Sequence, residues 1–144
     1  MALDDKQVDP DFTVDETLAA AINGRLERGL LPCAAAIALA EELRREPIAV
    51  GATADALRIT VTECQIGLFG YPGHAKGWEA AGVAALPVPA GLEAALLAAR
   101  NDRAELTCVA VWHAAERAGC SRVQAGYVAD RLGIKIRGCQ LGAF

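Results

Sequence analysis

Apolar residues at Leu18, Ile22 and Leu26 fall on one face of a helix. The pattern predicts a helix from Asp15, an N-cap with Glu16 in its first turn, to about Arg28, with Gly29 as the stop. A second stripe, Cys33, Ile37, Ala40 and Leu43, starts behind Pro32, which suits a first helical turn, and ends before Pro47. Cys108, Val111, Trp112, Ala115 and Ala118 form a stripe of the same kind, closed by Gly119. Each stripe is followed by a short apolar step, Ile48–Val50 or Val123–Ala125, and then by Gly51 or Gly126. Next, Ala54 and Leu57, like Ala129 and Leu132, place a small and a large residue on one face of a short helix. Ile59 and Ile134 follow just after Arg58 and Gly133, and the pattern predicts a further short helix through Cys64 or Cys139.

These patterns coincide because the chain repeats itself. Residues 15–69 align with 90–144 without a gap at an offset of 75, with 18 identities over 55 positions. The match is densest where Ala54–Phe69 lies over Ala129–Phe144. Repeated supersecondary units fold alike, so each local reading is tested twice.

The order of a small Ala at a helix crossing, a core Leu, a turn residue, an Ile anchor and a second helix resembles the helix–turn–helix and winged-helix superfamily of DNA-binding domains. The resemblance implies a mainly α fold of two tandem helix–turn–helix repeats, residues 15–69 and 90–144. At the level of architecture only, it extends to the segregation-and-condensation accessory proteins. Two positions depart from the pattern. The turn residue is Gly133 in one copy but Arg58 in the other, where a left-handed conformation costs about 1 kcal/mol relative to Gly. A later core position is Cys64 or Cys139, which packs as a small hydrophobe.

Residues 70–89 contain four Gly and three Pro and read as a linker or as a short β wing, with Leu68–Tyr71 and Trp78 as its candidate strands. Residues 1–14, with Asp4, Asp5, Asp9 and Asp11 against Lys6, read as a poorly ordered acidic lead-in. With 53% hydrophobic residues and a net charge of −4 the 144-residue chain is neither disordered nor fibrous. It lacks a signal-peptide pattern and a membrane-length apolar stretch, so a cytoplasmic protein with no membrane partner is expected.

A helix–turn–helix unit reads double-stranded DNA with residues near the start of its second helix. In the first copy these are Thr60, Thr62, Glu63 and Gln65; in the second, Lys135, Arg137 and Gln140. Gln suits adenine and Arg or Lys suits guanine. Arg122 and Arg131 add positive charge near the second copy's candidate helix, and Lys76 in the 70–89 loop is placed to touch phosphate as a wing tip would. Residues 90–144 carry +2 and 15–69 carry −3, so the C-terminal copy is the better contact surface, although the whole chain is acidic where DNA binders are usually basic. The expectation is a DNA-binding transcriptional regulator, with homodimerisation open.

Two alternatives remain. One is an acidic protein-interaction module on the same scaffold. The other is a metal or redox sensor using Cys33, Cys64, Cys108 and Cys139, which pair off through the repeat. Each of these thiols sits in an apolar stripe, without a C-x-x-C pair, so no metal or cofactor is assigned. Cys120, beside Arg122, is a candidate reactive thiol. His74 and His113 have no nucleophile and carboxylate at suggestive spacing, and no catalysis is expected.

Overall fold

A computed structural model of the chain describes residues 10–144. The described residues are mainly helical, with four two-residue strands among them. In the first repeat the order is α1 (Glu16–Asn23), β1 (Leu31–Pro32), α2 (Cys33–Glu42), α3 (Pro47–Ala56) and β2 (Val61–Thr62). Between the repeats lie α4 (Gly77–Ala81) and a 3-10 turn (Val83–Ala85). The second repeat gives α5 (Leu92–Ala98), β3 (Leu106–Thr107), α6 (Cys108–Ala118), α7 (Arg122–Arg131) and β4 (Ile136–Arg137).

The repeat extends to strand register. β1 pairs in parallel with β2, Leu31 opposite Val61, and β3 pairs in parallel with β4, Leu106 opposite Ile136. Left-handed backbone also recurs at matching places: Arg44 and Gly119, Arg58 and Gly133, Glu63 and Gly138. Arg58, at φ 58°, therefore adopts the turn conformation that its glycine counterpart adopts at φ 72°.

Several helix signals work as the sequence implies. The Asp15 carboxylate accepts from the backbone N–H groups of Thr17 and Leu18, so it caps α1. Pro32 precedes α2, which buries Cys33, Ile37 and Ala40, and Gly119 ends α6 in a left-handed cap. α1 stops earlier than expected, at Asn23, because the chain turns back at Glu27–Leu30 with Arg28 and Gly29 both left-handed. The apolar steps Ile48–Val50 and Val123–Ala125 are not separate pieces but the first turns of α3 and α7.

The largest correction concerns the second short helices expected through Cys64 and Cys139. No helix lies there. Residues 61–62 and 136–137 form the parallel strands, and residues 63–69 and 138–144 form turns and irregular backbone. β-branched Ile59, Val61 and Thr62, with Ile134 and Ile136, favour extended backbone, and left-handed Glu63 and Gly138 break any helix. The wing is also absent from residues 70–89. Tyr71 and His74 bridge a tight turn, and Trp78, a candidate wing strand, lies buried in α4. Residues Met1–Asp9 of the expected acidic lead-in lie outside the described residues.

The chain forms two compact units whose limits cut across the repeats. The first contains the described residues up to Glu63 together with Gln140–Phe144, and the second contains Cys64–Cys139. In the first, α3 packs on α1 and α2 around Leu18, Ile22, Leu39 and Val50, with Leu141 in the same unit at 2% exposure. In the second, α7 packs on α4, α5, α6 and the 3-10 turn, and Leu92, Leu96, Leu106, Val111 and Ile66 are fully buried. Ile66 and Leu141 occupy the same place in their repeats, yet each is a core residue of the unit built mainly from the other repeat.

Candidate functional site

Gly51 and Gly126 mark the middle of α3 and α7, and each is buried beneath a tight turn of the chain, at Gln140–Leu141 and at Gln65–Ile66. A Cβ on Gly51 would stand 1.7 Å from the carbonyl oxygen of Leu141, and one on Gly126 would stand 2.0 Å from that of Ile66. Only glycine permits the two backbones to approach so closely. The segments lying across the helices carry the repeated Cys-Gln-[Ile/Leu]-Gly motif, Cys64–Gly67 and Cys139–Gly142.

In the second unit the segment is gripped along its length. The Tyr71 hydroxyl donates to the Cys64 carbonyl at 2.5 Å, and Arg122 Nη1 donates to Gln65 Oε1 at 2.6 Å. The Gly77 N–H donates to the Gly67 carbonyl at 2.7 Å, and Lys76 Nζ donates to the Leu68 carbonyl at 3.2 Å. The Trp78 ring lies against Gly67 and meets Tyr127 of α7 edge-on, with ring centres 6.1 Å apart. Arg122 is itself held in place, its guanidinium carbon 3.6 Å above the centre of the Trp112 ring. Burial of Ile66, the close backbone approach at Gly126 and the hydrogen bonds to the Cys64, Gly67 and Leu68 carbonyls together fix this turn against α7.

No family model, curated protein or solved structure matches the chain.

The arrangement changes the meaning of the residues expected to contact DNA. Thr62 and Arg137 lie on strands, Gln65 and Gln140 in turns and Thr60 and Lys135 in irregular backbone, because the helices expected to present them do not form. Gln65 and Arg122 face each other inside the second unit. Lys76 is engaged with the Leu68 carbonyl and lies 5.6 Å from the centre of the Trp78 ring, and Arg137 lies 3.4 Å from Glu105. Exposed Arg131 and Lys135 flank the turn that follows α7. Gly51 and Gly126 form a repeated pair in the sequence, each following a short apolar step, and the structure places each of them beneath a close backbone crossing.

The thiols do not gather. Among the described residues no group of three or more His, Cys, Asp or Glu side chains is placed to hold a metal ion. Cys33 and Cys108 open α2 and α6 as buried residues. Burial pushes the Cys64 thiol above its ordinary pKa, with neighbouring Cys139 adding to the effect. Burial also raises Cys120, the opposite of what an activated thiol requires. His113 is exposed, and His74 lies 3.9 Å from Glu79 on an exposed loop. Among the described residues, no helix is long and apolar enough to cross a membrane.

Proposed function

We propose that the protein is a non-catalytic protein-interaction module in which α3 and α7 each hold a tight turn of chain across the middle of the helix, the turn at Leu141 on α3 and the turn at Ile66 on α7. The observation that carries this reading is the reciprocal placement of Ile66 over Gly126 and of Leu141 over Gly51. The helix–turn–helix interpretation is kept within it. α2 and α3, joined by residues 43–46, and α6 and α7, joined by residues 119–121, run in that order, with α3 and α7 in place of the groove-entering helix. On this reading that helix serves to hold chain instead of DNA. Gln124, Ala125, Gly126, Val128 and Ala129 of α7 are buried, and α3 carries no cation between Pro47 and Ala56.

The test uses the full chain carrying Leu141→Asp, which disables its own segment, and the synthetic peptide Cys-Gln-Leu-Gly-Ala-Phe. Saturable binding of one peptide per chain is expected, with none for a peptide bearing Asp in place of Leu. Absence of binding by the Leu-containing peptide removes the reading.

A DNA-binding transcriptional regulator is the second reading, favoured by exposed Arg131 and Lys135. It requires a mobility shift of duplex DNA at low salt. Arg131→Ala and Lys135→Ala should each reduce the salt slope by about one. A shift of this kind without peptide binding would replace the interaction module by the regulator.

A further inference from the structure

Within the second unit, residues 86–89, Leu-Pro-Val-Pro, leave the 3-10 turn as a stiff piece of chain. Pro87 and Pro89 fix their own φ, and Pro87 keeps Leu86 extended, at ψ 145°. The buried Gln124 of α7 donates from Nε2 to the Pro87 carbonyl at 2.9 Å, which pins this stretch to the helix. Leu86 and Val88 are nevertheless 51% and 47% exposed. They wall a pocket of ≈ 340 Å³ whose other side is the C-terminal half of α7 and the residue after it, with Tyr127 and Leu132. Tyr127 is braced by its edge-on contact with Trp78.

Two charges of opposite sign line the same pocket, Glu93 of α5 and Arg131 of α7. Both are exposed, and among the described residues neither has a hydrogen bond or an ion pair, with the other or with any third group. A ligand with a single charge is attracted by one of them and repelled by the other, whereas a ligand with both signs meets two opposite partners. The volume lies at the low end of the range of about 300–1,000 Å³ for pockets that enclose small molecules, too little for a helix of a partner protein. Leu86, Val88 and Leu132 offer an aliphatic wall. An ammonium, a carboxylate and a short branched apolar body occur together in an aliphatic α-amino acid.

We propose that this pocket binds a free aliphatic α-amino acid of the leucine type, with its carboxylate on Arg131, its ammonium on Glu93 and its side chain against Leu86, Val88 and Leu132. The planar guanidinium offers a carboxylate two parallel N–H donors, and the Glu93 carboxylate accepts from the ammonium. The rigid Leu86–Pro89 wall is already in place, so little ordering opposes binding. This site is independent of the turn-holding reading, and either stands without the other.

Titration calorimetry of the full chain with L-leucine tests the proposal, beside leucinamide, which lacks the carboxylate, and 4-methylpentanoate, which lacks the ammonium. L-Leucine should bind saturably, one molecule per chain. Arg131→Ala and Glu93→Gln should each weaken it about tenfold or more, the loss expected for one charge-assisted contact. Because both side chains are exposed and unpartnered among the described residues, the helical circular dichroism of each variant should match the parent. Leucinamide and 4-methylpentanoate should each bind the parent about tenfold more weakly or not at all. Absence of saturable binding of L-leucine up to about 10 mM overturns the proposal. Binding that neither variant weakens, or leucinamide binding as tightly as leucine, overturns it equally. A duplex-DNA shift that Arg131→Ala weakens, with no heat from L-leucine, would assign Arg131 to nucleic acid and overturn the amino-acid site.

Discussion

The carbonyl oxygen of Leu141 occupies the space that the first side-chain carbon of any other residue at Gly51 would need. An alanine in the middle of an exposed helix normally improves on glycine by about 1 kcal/mol. Here the sign reverses. Gly51→Ala and Gly126→Ala should each destabilise by about 3 kcal/mol net, because a backbone carbonyl cannot yield as a flexible side chain does. Denaturant titration of each variant checks this. Only Gly126→Ala should move the tryptophan-reported transition directly, since both tryptophans lie in its unit.

Left-handed, exposed Arg58 stands where the second repeat has Gly133. Arg58→Gly should stabilise the protein by about 1 kcal/mol, and Gly133→Ala should cost a similar amount. Thermal melts of the pair test both signs. An unchanged midpoint for Arg58→Gly would show that the arginine is not strained there.

Arg122 joins Gln65 of the clamped segment to the Trp112 ring. Arg122→Ala should destabilise the second unit by about 1–2 kcal/mol, combining a hydrogen bond with a partly exposed cation–π contact. Arg122→Lys should recover little of this, since an ammonium cannot stack as a planar guanidinium does. Tryptophan emission should change in both variants.

Asp15 caps α1 and pairs with Arg45 at 2.6 Å, and its side-chain bond with that guanidinium, helped by the Leu18 and Thr17 N–H groups, holds its carboxyl below the usual range. A carboxylate with a depressed folded pKa contributes stability that is present above its unfolded value, about 4, and is lost as pH falls through the lower folded value. The parent chain should therefore lose more stability than Asp15→Asn on acidification below about pH 4. Melting temperatures measured down that range would converge if the contribution is real.

Burial holds the Cys64 thiol protonated at neutral pH. A water-soluble alkylating reagent at pH 8 should therefore modify Cys64 more slowly than half-exposed Cys139, as peptide mass mapping over time would reveal. Equal rates would mean that the Cys64–Gly67 segment leaves its cleft readily.

Much of the helical framework was legible because it depends on neighbours in sequence. Asp15 caps α1 with its own carboxylate, Gly119 ends α6 through its own φ, and the Cys33–Ala40 and Cys108–Ala115 stripes need only a helix to face inward. The expected helices through Cys64 and Cys139 failed because the strands replacing them are defined by partners thirty residues away, Leu31 for Val61 and Leu106 for Ile136. Two-residue strands leave no periodicity to read. The clamped segments were hidden for a related reason: nothing near Gly51 in sequence indicates that Leu141 will lie across it. Arg122, whose charge in the sequence points to a DNA-contact surface, has Gln65 for its partner, a residue 57 positions away.

Because residue 141 answers to residue 51, and residue 66 to residue 126, the two halves of this duplicated gene are not at liberty to drift apart. In descendants of the same duplication both glycines should be kept together, because each is pressed by the backbone of a residue from the other copy and no change of side chain at 141 or 66 relieves it. Duplication followed by such a crossed dependence turns a redundant second copy into an indispensable one.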